Sequence, residues 1–282
     1  MTLLEPGAPQ PVLADGEAAR PNLSSRIRSM LRDTMVVVET DFRKLRHDPI
    51  ELLTRAIQPA LWLLIFGQVF ARTRAIPSGN LPYPDFMTPG ILAQSVLFIA
   101  IFFGIGTIWE RDLGLVHKLL ATPAPRAALV AGKGLAAGER ALSQAVFIYT
   151  LAWLLGVKLN WSPLAMAGIA VTVIIGAAVF STFSLIIACI VKTRERFMGI
   201  GQVLTMPLFF ASNAIYPIDM MPTWLRAVAR FNPLTYQVDA MRSLMVQGGS
   251  SAYGLATDWG IMLVILILLT VLGARLYRRL AL

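Results

Sequence analysis

Charge is scarce in this chain. Asp, Glu, Lys and Arg make up 15% of its 282 residues, against about a quarter in a typical soluble domain. Hydrophobic residues make up 56%, and the mean hydropathy is +0.65. No single soluble core hides that much apolar surface, so the composition excludes an ordinary soluble domain and reads as an all-α integral membrane protein. Cysteine is nearly absent: Cys189 stands alone in an apolar run, which excludes a disulfide within the chain and leaves a thiol site unsupported. The two histidines, His47 and His117, lie far apart without ligand-spaced neighbours, so no metal is expected. No His, Asp, Glu and Cys set has the spacing of a catalytic constellation, so no catalytic residue is expected. A phosphate-cradling loop is missing too. Gly132-Lys133 has no glycine five positions earlier and carries Gly134 where Ser or Thr should follow, so nucleotide chemistry would have to come from another chain.

What charge there is has a sign, +9 net. Nucleic acid is not the expected partner, because the basic residues flank apolar runs, where they set orientation and meet anionic lipid. Residues 1–22 hold Pro6, Pro9, Pro11 and Pro21 without an apolar h-region after a basic start; a disordered cytoplasmic tail and no cleaved signal are expected. Residues 23–48 place Ile27, Leu31, Met35, Val38, Phe42 and Leu45 at helical spacing among arginines. That pattern predicts an amphipathic helix lying on the inner leaflet.

Residues 49–282 form the transmembrane domain. Six spans are expected, at about 52–70, 90–109, 134–156, 164–191, 197–217 and 259–274, the first kinked at Pro59. Pro77, Pro82, Pro84 and Pro89 read as an irregular loop before the second span. Seventeen Lys and Arg fall on one side of this arrangement, against three in the short loops opposite and three more in a broken segment near the end. Both termini are therefore expected in the cytoplasm, with the chain crossing the plasma membrane several times.

Two stretches break the pattern of plain spans. In Glu110–Lys133, Leu113, Val116, Leu119 and Leu120 form an apolar stripe, and Pro123 and Pro125 stop the helix; a short amphipathic cytoplasmic helix is expected, as either a linker or a docking element. In Met206–Arg242, four prolines interrupt apolar sequence. Thr223–Phe231 would carry Trp224, Leu225, Val228 and Phe231 on one face, with Arg226 and Arg230 on another. This is the pattern of an interfacial or re-entrant hairpin near a substrate exit. Asp239 and Arg242, three apart, can pair locally. Inside the spans, Glu139 and Arg140 are expected to pair with a neighbouring helix, and Gln68, Gln94, Gln144 and Gln202 to tie helices together by hydrogen bonds. The small-residue spacing of Gly134 and Gly138 permits close helix packing.

The same two stretches resemble the type-2 ATP-binding-cassette exporter permeases. Glu110–Lys133 looks like their coupling-helix region, acidic-basic, Gly, Leu-Leu, then Pro. Pro207–Phe210, Tyr216-Pro217, Pro222–Leu225, Asn232–Tyr236 and Asp239–Arg242 match their C-terminal signature in order. The chain is most similar to the permeases that export daunorubicin-type antibiotics and nodulation lipo-oligosaccharides, although His117 departs from the pattern. The resemblance implies a non-catalytic subunit that binds no cofactor itself. ATP and Mg would sit on two copies of a separate ATPase subunit, and a second permease, the same or a sister chain, would complete the pore. It also implies that Glu110, Arg111, Leu113, Leu119 and Leu120 contact the ATPase. Tyr216, Pro217, Trp224, Asn232, Pro233 and Tyr236 would line or gate the exit. The implied cargo is an amphipathic drug, antibiotic or lipid-like compound. A polysaccharide or lipo-oligosaccharide remains an alternative, as does a passive channel or membrane sensor without ATPase coupling.

Overall fold

The computed structural model describes residues 54, 57–73, 76–77, 79, 81–115, 126–191 and 193–277. The expected tail and interface helix lie outside these residues, as does the start of the first span. What is described of that span is irregular: a π-helical turn, Trp62–Phe66, closes with the Gly67 N–H donating to the Trp62 carbonyl, and α1, Gly67–Thr73, follows. The irregularity thus falls just after Pro59, which is itself helical. A π-turn absorbs a missing backbone donor without breaking the helix.

Among the described residues three helices are long and apolar enough to cross a membrane: α2, Tyr83–Asp112; α4, Pro163–Ile190; and, later in the chain, Leu255–Leu276. At 1.5 Å per residue α2 is about 45 Å long. It begins seven residues before its expected start and takes in Pro84 and Pro89, both placed in a loop by the sequence. Pro84 sits in the first turn, where no backbone donor is needed, and the Thr88 hydroxyl donates to the Pro84 carbonyl at 2.7 Å. Between these two, α3 runs Arg126–Leu154, eight residues longer at its start than expected. The fifth expected span is shorter: α5, Arg194–Phe210, unwinds into a turn at 211–216, and Pro207 lies in its last turn. Two short helices follow, α6 at Thr223–Phe231 and α7 at Pro233–Met245, and then α8, Leu255–Leu276.

α2 and α4 form the centre of the bundle, with 72% of each apolar window buried, whereas only 11% of the α8 window is. In lipid the hydrophobic effect does not drive helices together, so close approach and interhelical hydrogen bonds must. Gly134 and Gly138 let α3 meet Ala178 and Ile174 of α4, where a Cβ would lie 3.3 Å away. Gly104 of α2 lies against Ser184, whose hydroxyl donates to the Ile101 carbonyl. The Trp259 indole donates to the Thr172 hydroxyl at 2.9 Å, fastening α8 to α4. A short antiparallel bridge pairs Leu159 with Val246, and the Asn160 N–H donates to Met245 at 2.8 Å. The starts of α2, α4 and α8 thereby gather with α6 and α7 at one end, the hairpin end. The end of α2 and the starts of α3 and α5 gather at the other.

Candidate functional site

The hairpin end is built around Asn232, between α6 and α7. Its side-chain oxygen accepts from the Leu234 N–H at 3.0 Å, capping α7, and Pro233 fills the first helical position. Its amide donates to the carbonyls of Leu208 and Ala211 at 2.6 and 2.8 Å. Those carbonyls are exposed by the end of α5, so one side chain starts one helix and satisfies the end of another. Tyr216 donates to the Phe210 carbonyl at 2.5 Å and Tyr236 to the Arg230 carbonyl at 2.6 Å, each bond joining residues six apart in sequence. Pro217 precedes the 3₁₀ turn Ile218–Met220.

α7 penetrates the bundle. Leu244 meets Gly168 near the start of α4, and Gln237 lies two turns deeper against Gly176. α2 meets the turn after α5 just as closely: a Cβ on Gly90 would fall 2.3 Å from the Ala214 carbonyl, so only glycine fits there. The Tyr83 hydroxyl adds a bond to the Ile215 carbonyl at 3.2 Å.

Asp239 and Arg242 do not form the local pair that their spacing suggested. Asp239 Oδ2 accepts from the Ala252 and Tyr253 N–H groups at 2.7 and 3.1 Å. The Ser251 hydroxyl bridges the same oxygen, at 2.9 Å, to Asp258 Oδ2, at 2.8 Å. Arg242 donates to the Asn213 carbonyl at 2.6 Å and lies over the Phe86 ring, 3.9 Å from its centre. The local pair loses because each side chain satisfies backbone groups left over by the broken helices, which are costly to bury unpaired. Trp224, by contrast, is exposed, as are Val228 and Phe231, so α6 turns its apolar face outward, while half-buried Arg226 and exposed Arg230 border a polar cavity.

At the opposite end, Glu110 and Arg111 sit on the last turn of α2 and not in a loop, and Leu113 follows in a turn. Leu119 and Leu120 lie outside the described residues. Glu110 receives a 2.5 Å bond from Lys133 of α3, which also donates to Thr107 at 3.2 Å. Asp112 accepts from Arg194 of α5 at 2.8 Å, and Arg194 stacks on Trp109 at 3.7 Å. Arg111 reaches the Val191 carbonyl at 3.5 Å. The root of the segment expected to dock on an ATPase is therefore fastened to α3, α5 and the end of α4.

The intramembrane polar residues divide. Arg140 lies over the Phe103 ring, 5.4 Å from its centre, so it engages α2. Because α3 starts at Arg126, Glu139 and Arg140 lie about 20 Å along it. Gln144 is buried, Gln202 is exposed, and the Gln94 amide is buried without a hydrogen-bond partner among the described residues. The helix-tying bond expected of Gln94 is not made inside the described chain.

Sequence reasoning missed Lys133, Asp112, Arg194 and Asn213. All act across separations of 23 to 82 residues, and no local pattern marks such partners. Their one legible signal was position: each charged member flanks an apolar run.

Residues 32–246 match the model of the ABC-2 type transporter family, a range that takes in Glu110–Asp112 and the hairpin of α6 and α7. Among curated proteins, the chain is 28% identical over 260 residues to the transport permease ycf38 of Cyanophora paradoxa, covering 88% of this chain and 89% of that one. It is 26% identical over 223 residues to the daunorubicin resistance ABC transporter permease protein DrrB1 of Streptomyces coeruleorubidus, covering 78% and 75%. It is also 26% identical over 170 residues to nodulation protein J of Rhizobium leguminosarum bv. trifolii, covering 60% and 64%. With the family model covering most of its length, this chain belongs to the ABC-2 type transporter family and is a transmembrane permease of that kind.

Proposed function

We infer that this permease exports an amphipathic drug, antibiotic or lipid-like compound across the plasma membrane, driven by ATP hydrolysed on a separate subunit. The observation that carries this reading is the anchored root of the segment after α2. Glu110, Asp112 and Arg111 are bonded to α3, α5 and the end of α4, so a push on the following residues reaches three helices at once. A bistable bundle biased by a ligand bound elsewhere needs such a connection. The Glu110–Lys133 segment would carry the docking helix, with Leu113, Leu119 and Leu120 as its contact side chains and Glu110 and Arg111 as its orienting charges. The chain would cross the membrane six times with both ends in the cytoplasm. It would pair with a second permease, the same or a sister chain, on two ATPase copies. The hairpin of α6 and α7 would then re-enter from the outer face. The name of the daunorubicin relative supports a drug-like cargo.

Co-purification tests the coupling. An ABC ATPase subunit co-expressed with the chain is expected to purify with wild type and to be lost from the Leu119→Asp, Leu120→Asp variant, while the variant itself remains folded and monodisperse. Equal ATPase recovery from both would remove the coupling assignment.

A further inference from the structure

Between α6, the start of α2 and the segment before α8 lies a cavity of about 450 Å³. Arg226, Arg230 and Arg242 line it, together with Asp219 and Asp239. The charge balance is less even than that count suggests. Asp239 is already held by two backbone N–H groups and the Ser251 hydroxyl. Arg226 donates to the carbonyls of Asp219 and Met221 at 2.8 and 3.3 Å, and Arg242 donates to those of Phe86 and Asn213. Among the described residues none of the three arginines makes an ion pair within 4 Å, although the Asp239 carboxylate acts on Arg242 from further off. Two guanidinium groups are thus held in place by neutral carbonyls, while a third, Arg230, is exposed at the rim. Carbonyl ligands orient a guanidinium without cancelling its charge, and its remaining donors match the two-oxygen edge of a phosphate or carboxylate. Leu81, Phe86 and Ile218 supply an apolar wall beside these donors, and just outside, Trp224 and Phe231 face away from the protein.

We propose that this cavity is a binding site for the anionic headgroup of an amphipath, a phosphate-type group held between Arg226, Arg230 and Arg242 with its tail leaving over the apolar wall. The assignment rests on the permease reading for its place at the exit, and it narrows the cargo to compounds with an acidic head. Cationic drugs would meet repulsion there and would have to leave by another path.

The test uses the full chain purified in mixed micelles of phosphatidylglycerol and phosphatidylcholine. Each sample is washed with phosphatidylcholine, and the lipid retained per chain is measured by mass spectrometry. Wild type is expected to retain phosphatidylglycerol over phosphatidylcholine. Arg226→Gln with Arg230→Gln should lower that retention about tenfold, the scale of losing charge-assisted bonds, and Arg226→Lys with Arg230→Lys should keep most of it. Arg230→Gln alone, at an exposed position, gives the same direction should the double variant misfold. A parallel wash with inorganic phosphate separates the sources: displacement assigns recognition to the phosphate group whatever carries it, and retention assigns it to the whole lipid headgroup. Equal retention of both lipids by wild type, or unchanged retention in the glutamine variants, overturns the site. Failure here with intact ATPase recovery would strike the site alone, whereas loss of the Leu119 and Leu120 effect would strike the coupling reading.

Discussion

Asn232 shows how much structure one side chain can hold. Its oxygen caps α7, and its amide closes the end of α5 through two carbonyls 21 and 24 residues away. Losing a cap costs about 1 kcal/mol, and leaving buried acceptors unpaired costs about 1–3 kcal/mol more. Asn232→Ala should therefore destabilise the protein by about 2–4 kcal/mol, which at this size lowers Tm by about 4–16 °C. Asn232→Ser should regain about 1 kcal/mol by restoring the cap alone. Thermal unfolding of the purified variants checks both; an alanine variant as stable as wild type would show that the end of α5 is held by something else. The Asn-Pro pair was legible in the sequence as a motif and as a helix start. Its second task was not, because the carbonyls it serves appear only once α5 ends at Phe210. Asp239 and Arg242 mislead for the same reason: spacing on one helix predicts a pair, but orphaned backbone groups elsewhere claim both side chains.

At the scale of elements, helix type was legible where composition is extreme. The apolar stretches of α2, α4 and α8 have no competing reading, and their expected cores fall within the observed helices. Boundaries failed where proline was taken as a helix breaker regardless of place: α2 accepts Pro84 in its first turn, and α5 stops sooner than its apolar sequence does. α6 was legible as amphipathic, yet which face meets the protein was not, since the arginines turn toward a polar cavity that exists only once α2, α6 and α7 are assembled. Its orientation yields a prediction. A nitroxide attached at Phe231→Cys should relax more with oxygen than with a water-soluble nickel chelate, because 86% of Phe231 is exposed on the apolar face. The same label at Arg230→Cys should show the reverse. Greater nickel access at 231 than at 230 would mean that α6 lies with its arginines toward lipid.

Over the whole molecule, α2 connects the two ends. Its first turns touch the segment after α5 through Tyr83 and Gly90, and its last turn carries Glu110 and Asp112 on bonds to α3 and α5. A rigid helix about 45 Å long moves both ends together. Packing this close transmits such movement instead of absorbing it, because interiors this dense do not deform continuously. On the proposed reading, work supplied at one end by a partner ATPase would be done at the hairpin end. The most direct test places the purified chain in proteoliposomes with a fluorescent amphipathic dye and ATP, with and without its ABC ATPase subunit. Dye is expected to move against its gradient only when the ATPase is present and hydrolysing. Uphill movement by the chain alone would contradict the account.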